Sequence, residues 1–84
     1  MKLLYFSWIR ERVGMNEEVV DLDDNIKTVS DLMSWLKSRG DGFEAVFEHP
    51  QIIRVALDQE HVDDLETSLE HTKEVALFPP MTGG

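Results

Sequence analysis

Three kinds of group in this 84-residue chain could take part in chemistry: the carboxylate that ends Gly83-Gly84, three histidines, and a cluster of acids from Asp58 to Glu70. The acidic stretch is rich in potential ligands. It lacks the glycine and spacing of a calcium loop and the paired histidines of a zinc site, so no metal is expected. His49 precedes Pro50 and His71 falls in a turn, neither with a serine, cysteine or carboxylate spaced for a triad. Gly40 and Gly42 form a turn rather than a phosphate-binding loop. There is no cysteine at all, which excludes disulfides, thiolate metal sites and a thiol nucleophile together. Such a chain is poor material for an independent enzyme, and no bound cofactor is expected.

The terminal carboxylate remains. It is ionised at neutral pH and a poor electrophile, and it becomes reactive only as an acyl phosphate or adenylate. That conversion requires ATP and a second protein. Once activated, it could accept sulfur to become a thiocarboxylate, or an amine to become an isopeptide. The run that carries it has no charged side chain from Val75 to Gly84, although 30% of the chain is charged. Val75 to Phe78 suits a short strand. Pro79 and Pro80 lack N–H donors and should stop the ladder. Residues 79–84 then form an extended tail of roughly 20 Å, long enough to thread into another protein. Pro79, Pro80, Met81, Thr82 and Gly83 are the inserted segment, and glycine lets a tunnel close on the backbone with no Cβ in the way. Gly84 is the reactive end. A merely disordered terminus is the competing account of a bare Gly-Gly.

The elements that must present this tail read as follows. Lys2 to Trp8 is a strand with Leu4, Phe6 and Trp8 on one side and Leu3, Tyr5 and Ser7 on the other. Arg10, Glu11 and Arg12 break the pattern, and Gly14 turns the chain toward a second strand over Glu18 to Leu22. Thr28 with Asp31 resembles a capping box. Val29, Leu32, Met33 and Leu36 then make an amphipathic helix ending near Gly40. Phe43 to His49 predicts a short helical turn stopped by Pro50. Ile52 to Asp58 is a third strand, Gln59-Glu60 a turn, and Val62 the start of an edge strand. The acidic stretch through Thr72 is irregular, with Leu65 and Leu69 tucked inward. The expected domain is residues 1–78, an α+β sheet of four or five strands with one main helix on one face and its first and last strands parallel in the middle. Both of those strands have apolar residues on both faces. Some aromatic surface, including Phe6 and Phe78, should therefore remain on the open face beside the tail, unless a loop folds over it.

Composition limits the partners. Net charge is −9, from 17 acids and 8 bases, which disfavours nucleic acid. The acids from Asp58 to Glu70 are most simply a solvated face, with steering toward a basic protein as the other account. Met1-Lys2 leads into an apolar run too short for a signal peptide, and no run approaches a membrane span. A cytoplasmic location is expected.

The ending Glu74-Val-Ala-Leu-Phe-Pro-Pro-Met-Thr-Gly-Gly and the opening Leu4-Tyr-Phe-Ser-Trp-Ile-Arg-Glu-Arg-Val-Gly14 resemble the ubiquitin-like β-grasp sulfur carriers, and among them the molybdopterin synthase small subunits. The resemblance runs the length of the chain, and the diproline before Thr-Gly-Gly is its most specific element. It implies that an E1-like enzyme adenylates Gly84 and that a sulfur donor protein supplies the sulfur of a thiocarboxylate. The tail would insert into the large synthase subunit, within a heterotetramer, and build the dithiolene of molybdopterin. Phe6 and Phe78 fall on apolar interface positions of that family. The chain departs from the family pattern at Thr72-Lys73, where Gly-Asp is common, and at Asp58, where Asn is common.

Overall fold

A computed structural model describes residues 1–80. In chain order these form β1 (Lys2–Tyr5), α1 (Ser7–Val13), β2 (Glu17–Val19), α2 (Val29–Lys37), α3 (Asp41–Phe47), a 3₁₀ turn (Pro50–Ile52), β3 (Arg54–Leu57), β4 (Glu60–Val62) and β5 (Glu74–Phe78). The strands make one mixed sheet in the order β2-β1-β5-β3-β4. β1 and β5 pair in parallel, Lys2 with Glu74 through Tyr5 with Leu77, as the sequence predicts. β5 also pairs antiparallel with β3, so the strand that leads into the tail is held on both sides.

Alternation assigns one face of the sheet to the core. Leu3, Tyr5, Val55, Leu57, Val75 and Leu77 point inward and are buried, meeting Val29, Leu32, Met33 and Leu36 of α2. Each such side chain contributes about 1.5–3 kcal/mol by leaving water. The capping box of α2 is formed. The Thr28 hydroxyl oxygen accepts from the Asp31 N–H at 3.1 Å, and the Asp31 carboxylate accepts from the N–H groups of Lys27 at 3.0 Å and Thr28 at 3.1 Å. Those backbone donors hold the Asp31 carboxyl below the usual carboxylate range.

The structure departs from the expected layout at several points. β2 runs over Glu17–Val19 rather than Glu18 to Leu22, Gly42 lies inside α3 rather than in a turn, and Ile52 ends the 3₁₀ turn rather than starting β3. β1 ends at Tyr5, and Ser7–Val13 is helical rather than strand and loop. Ile9 is buried, Trp8 and Val13 are half-buried, and the run between them turns Arg10, Glu11 and Arg12 to solvent. Gly14, at φ 86°, closes this helix in the left-handed conformation. The sheet therefore has three helices on its core side. α3 packs close on α1: a Cβ on Gly42 would run into the Arg12 carbonyl oxygen. Gly40, at φ 144°, caps the start of α3; α2 has already ended at Lys37, with Ser38 as its cap. Finally, the turn between β3 and β4 is Asp58-Gln59, one residue earlier than expected. Both residues adopt positive φ, 49° and 72°, the twist that two-residue hairpin loops favour.

Candidate functional site: the root of the tail

β5 delivers the chain to the tail, and its anchorage is built from both ends. At its start, the Asp58 carboxylate accepts from the N–H groups of Lys73 at 3.0 Å and Glu74 at 2.9 Å, while the Asp58 N–H donates to the Glu74 carbonyl at 2.8 Å. Asp58 thus ties the hairpin turn to the strand with its side chain and its backbone. At its far end Phe78 pairs with Arg54, and the Phe6 N–H donates to the Leu77 carbonyl at 3.2 Å. The ladder stops at Phe78. Pro79 and Pro80 are half-buried and outside any strand. Met81, Thr82, Gly83 and Gly84, which include the expected reactive carboxylate and the rest of the expected inserted segment, lie outside the described residues.

Parity separates this end of the molecule into two surfaces. Tyr5 and Leu77 enter the core, and their successors Phe6 and Phe78 lie on the opposite face. Phe6 is 44% exposed, as expected for a side chain left uncovered beside the tail. Leu4, Ala76 and Ala56 continue the same face inward along β1, β5 and β3. The sequence weighed His61 only within the ligand-rich acidic stretch, whereas it sits opposite Ala56 and brings its ring to 6.2 Å from that of Phe78. Arg54, the cross-strand neighbour of Phe78, was not singled out. The signal for both was strand parity, read against residues already placed in the core.

A second polar cluster lies on the core side. Tyr5 donates to Glu18 at 2.6 Å, and Arg39 grips the same carboxylate with two nitrogens at 2.6 and 3.0 Å. The guanidinium also lies 4.9 Å from the Trp35 ring centroid and 4.6 Å from that of Phe43. Burial first, then Glu18, pushes the Tyr5 phenol well above its ordinary range. Burial alone would raise the Glu18 carboxyl, but the bonds from Arg39 and Tyr5 and the Arg39 charge outweigh it and lower it. This cluster fastens β2 to the end of α2. The phenol is held protonated there and serves Glu18 as a donor.

Among the described residues no three histidine, aspartate or glutamate side chains converge to hold a metal. No helix among them is long and apolar enough to cross a membrane. What the geometry offers is a scaffold with a firmly anchored strand, a half-open apolar face beside it with Phe6 exposed, and Pro79-Pro80 leaving from their junction.

That architecture is the ubiquitin-like β-grasp. The solved structure of SAMP1 from Haloferax volcanii matches it over 100% of this chain and 98% of that one, with a TM-score of 0.70 and 27% identity. A putative molybdopterin converting factor subunit 1 from Pyrococcus furiosus shares the fold at TM-score 0.73, with 24% identity over 95% of each chain. The chain belongs to the ThiS family, whose model matches residues 3–84. Molybdopterin synthase sulfur carrier subunits are similar at 30% identity (Haemophilus influenzae, 100% of this chain and 99% of that one) and 35% (Chlamydomonas reinhardtii, 100% and 98%). Small archaeal modifier protein 3 of Haloferax volcanii is 29% identical over 100% of this chain and 98% of its own length.

Proposed function

We propose that this chain is the sulfur-donor subunit of a molybdopterin synthase. The observation that carries this reading is the family match running through the terminal Gly-Gly. The anchored β5 and its open apolar neighbour supply a base from which the tail enters a partner. Gly84 attacks ATP within an E1-like enzyme, forming an acyl adenylate and releasing pyrophosphate. A sulfur donor protein then supplies sulfide equivalents that displace AMP, so a C–S bond replaces the acyl–phosphate C–O bond. The thiocarboxylate is delivered to cyclic pyranopterin monophosphate in the large subunit, and two rounds build the dithiolene. The chain itself binds no metal or cofactor. Phe6 and Phe78 contact the large subunit, and the complex is a cytoplasmic heterotetramer.

The similarity to archaeal modifier proteins supports a second reading, in which the activated Gly84 forms an isopeptide. A sulfur carrier for thiamine thiazole synthesis or tRNA thiolation shares the thiocarboxylate but differs in its acceptor. Co-expression with an activating enzyme and a sulfur source, followed by intact mass measurement, separates carrier from modifier. Replacement of oxygen by sulfur adds about 16 Da, the signature of an acyl group activated and then captured by a nucleophile. Deleting Gly84 should leave thermal unfolding unchanged and abolish sulfur transfer in the reconstituted synthase. Retained transfer would refute the assignment.

A further inference from the structure

The open face carries few charges where the tail leaves it: Arg54 on β3, with His61 on β4 and Asp63 just past it. Arg54 is the cross-strand neighbour of Phe78, the last residue before Pro79-Pro80. Val55 and Leu57 are buried, so the alternation of β3 puts Arg54 on the same face as Ala56 and Phe78, where it is exposed. Its guanidinium forms no ion pair with any described residue. Asp63, which continues the β3–β4 register opposite Arg54, lies 3.7 Å from the His61 ring and makes no ion pair with Arg54.

A partner that takes in residues 79–84 must reach the root of the tail and so covers Phe78. Residues paired across a ladder stand about 4.5–5.5 Å apart at their Cα atoms, which places Arg54 within the same footprint. Removing water from an unpaired guanidinium costs more than the surrounding apolar contact returns, unless an acceptor meets it. The planar fork matches a carboxylate with two parallel bonds. We infer that Arg54 is a specificity-determining residue of the tail-accepting interface, and that the partner presents a carboxylate opposite it at the mouth of its cleft. This rests on the proposed function and adds to it. A chain of net charge −9 repels acidic surfaces in general, so a cation beside Phe78 selects a partner with an acid at that point.

The test uses the full chain and the large synthase subunit of the same organism, with association and dissociation rates measured at low and high salt. Arg54→Glu should weaken binding by about 30-fold or more, through faster dissociation that persists at high salt, as for a covered ion pair. Arg54→Gln should fall between it and the wild type, and thermal unfolding of both should match the wild type. Reversing the facing carboxylate of the large subunit to Arg should restore binding of Arg54→Glu. A dissociation rate within about twofold of wild type, or a slower association that disappears at high salt, marks a solvated rim charge and overturns the inference. If Phe6→Ser weakens binding and Arg54→Glu does not, this inference alone fails. If the wild-type chain does not bind the large subunit, the proposed function fails with it.

Discussion

Tyr5 and Phe6 are adjacent in sequence and end on opposite sides of the sheet. Tyr5 is 1% exposed, its hydroxyl bonded to Glu18; Phe6 is 44% exposed. Leu77 and Phe78 repeat the division on the neighbouring strand, with Leu77 fully buried and Phe78 on the open face. Both faces carry apolar side chains at this end of the sheet, although Lys2, Glu74 and Arg54 share the open one. What differs is cover: three helices close one side, and the other is left with Leu4, Phe6, Ala56, Ala76 and Phe78. A change on the covered face should cost folding free energy, and the same change one residue along should cost recognition instead.

Leu77→Ala is the harshest test of that division. Leu77 lies in the middle of the core, on a strand paired on both sides, so the cavity it leaves has little room to collapse. The expected loss is about 2–5 kcal/mol, read as a lower midpoint in denaturant titration. Sulfur transfer measured well below that midpoint should survive, because Leu77 offers nothing to a partner. A full loss of activity in a still-folded Leu77→Ala protein would break the comparison.

The polar edge of the covered face comes next. Glu18→Ala removes the acceptor shared by Tyr5 and Arg39, with an expected cost of about 1–3 kcal/mol. The pH dependence follows from the directions of the shifts. The folded Glu18 pKa is lowered, so its contribution is present above the ordinary glutamate value and is lost as pH falls through the folded one. The folded Tyr5 pKa is raised, so its contribution is full below about pH 10 and is lost as pH rises beyond that value. Stability measured across pH should therefore fall at both ends. Tyr5→Phe should flatten the alkaline limb and lessen the acid one, and Glu18→Ala should flatten the acid limb and lessen the alkaline one.

How far these assignments could be read from the chain depended on whether each signal was local. α2 was legible because Val29, Leu32, Met33 and Leu36 carry the helical period and Thr28 with Asp31 marks its start. The parallel pairing of β1 with β5 followed from two apolar strands separated by a helix, and the open face followed from their parity. α1 was hidden because Leu4, Phe6 and Trp8 extend the strand alternation past the point where the chain turns. That turn occurs at Ser7, which takes φ 56° with no glycine, asparagine or aspartate to announce it. The Glu18–Arg39 grip joins residues 21 apart and left no local trace. Asp58 was read as part of the solvated acidic stretch and as a departure from Asn, yet its carboxylate makes two bonds to the start of β5. A single acceptor oxygen takes both, so the amide's donor is not needed there. The end of β5 was the most legible point, since Phe78-Pro79-Pro80 states in three residues where the ladder must stop.

Phe6→Ser should have the smallest effect on folding and is the sharpest probe of the open face. Its ring is nearly half exposed, and the backbone N–H that bonds to Leu77 is unchanged by the substitution. Surface changes of this kind usually stay within about 0.5 kcal/mol. Replacing an exposed aromatic with a polar side chain also removes an unfavourable contact with water, so the melting curve should overlay that of the wild type. Binding to the large subunit should weaken by about tenfold or more, because aromatic residues at the centre of an interface carry much of its free energy. Mass gain on co-expression with the activating enzyme then reports separately on whether that enzyme uses the same face. A Phe6→Ser chain that still gains sulfur but binds the large subunit poorly assigns the open face to sulfur delivery. Loss of both assigns it to activation as well. Unchanged binding together with a lowered melting temperature would mean that Phe6 belongs with Tyr5 after all, as part of what holds the domain together.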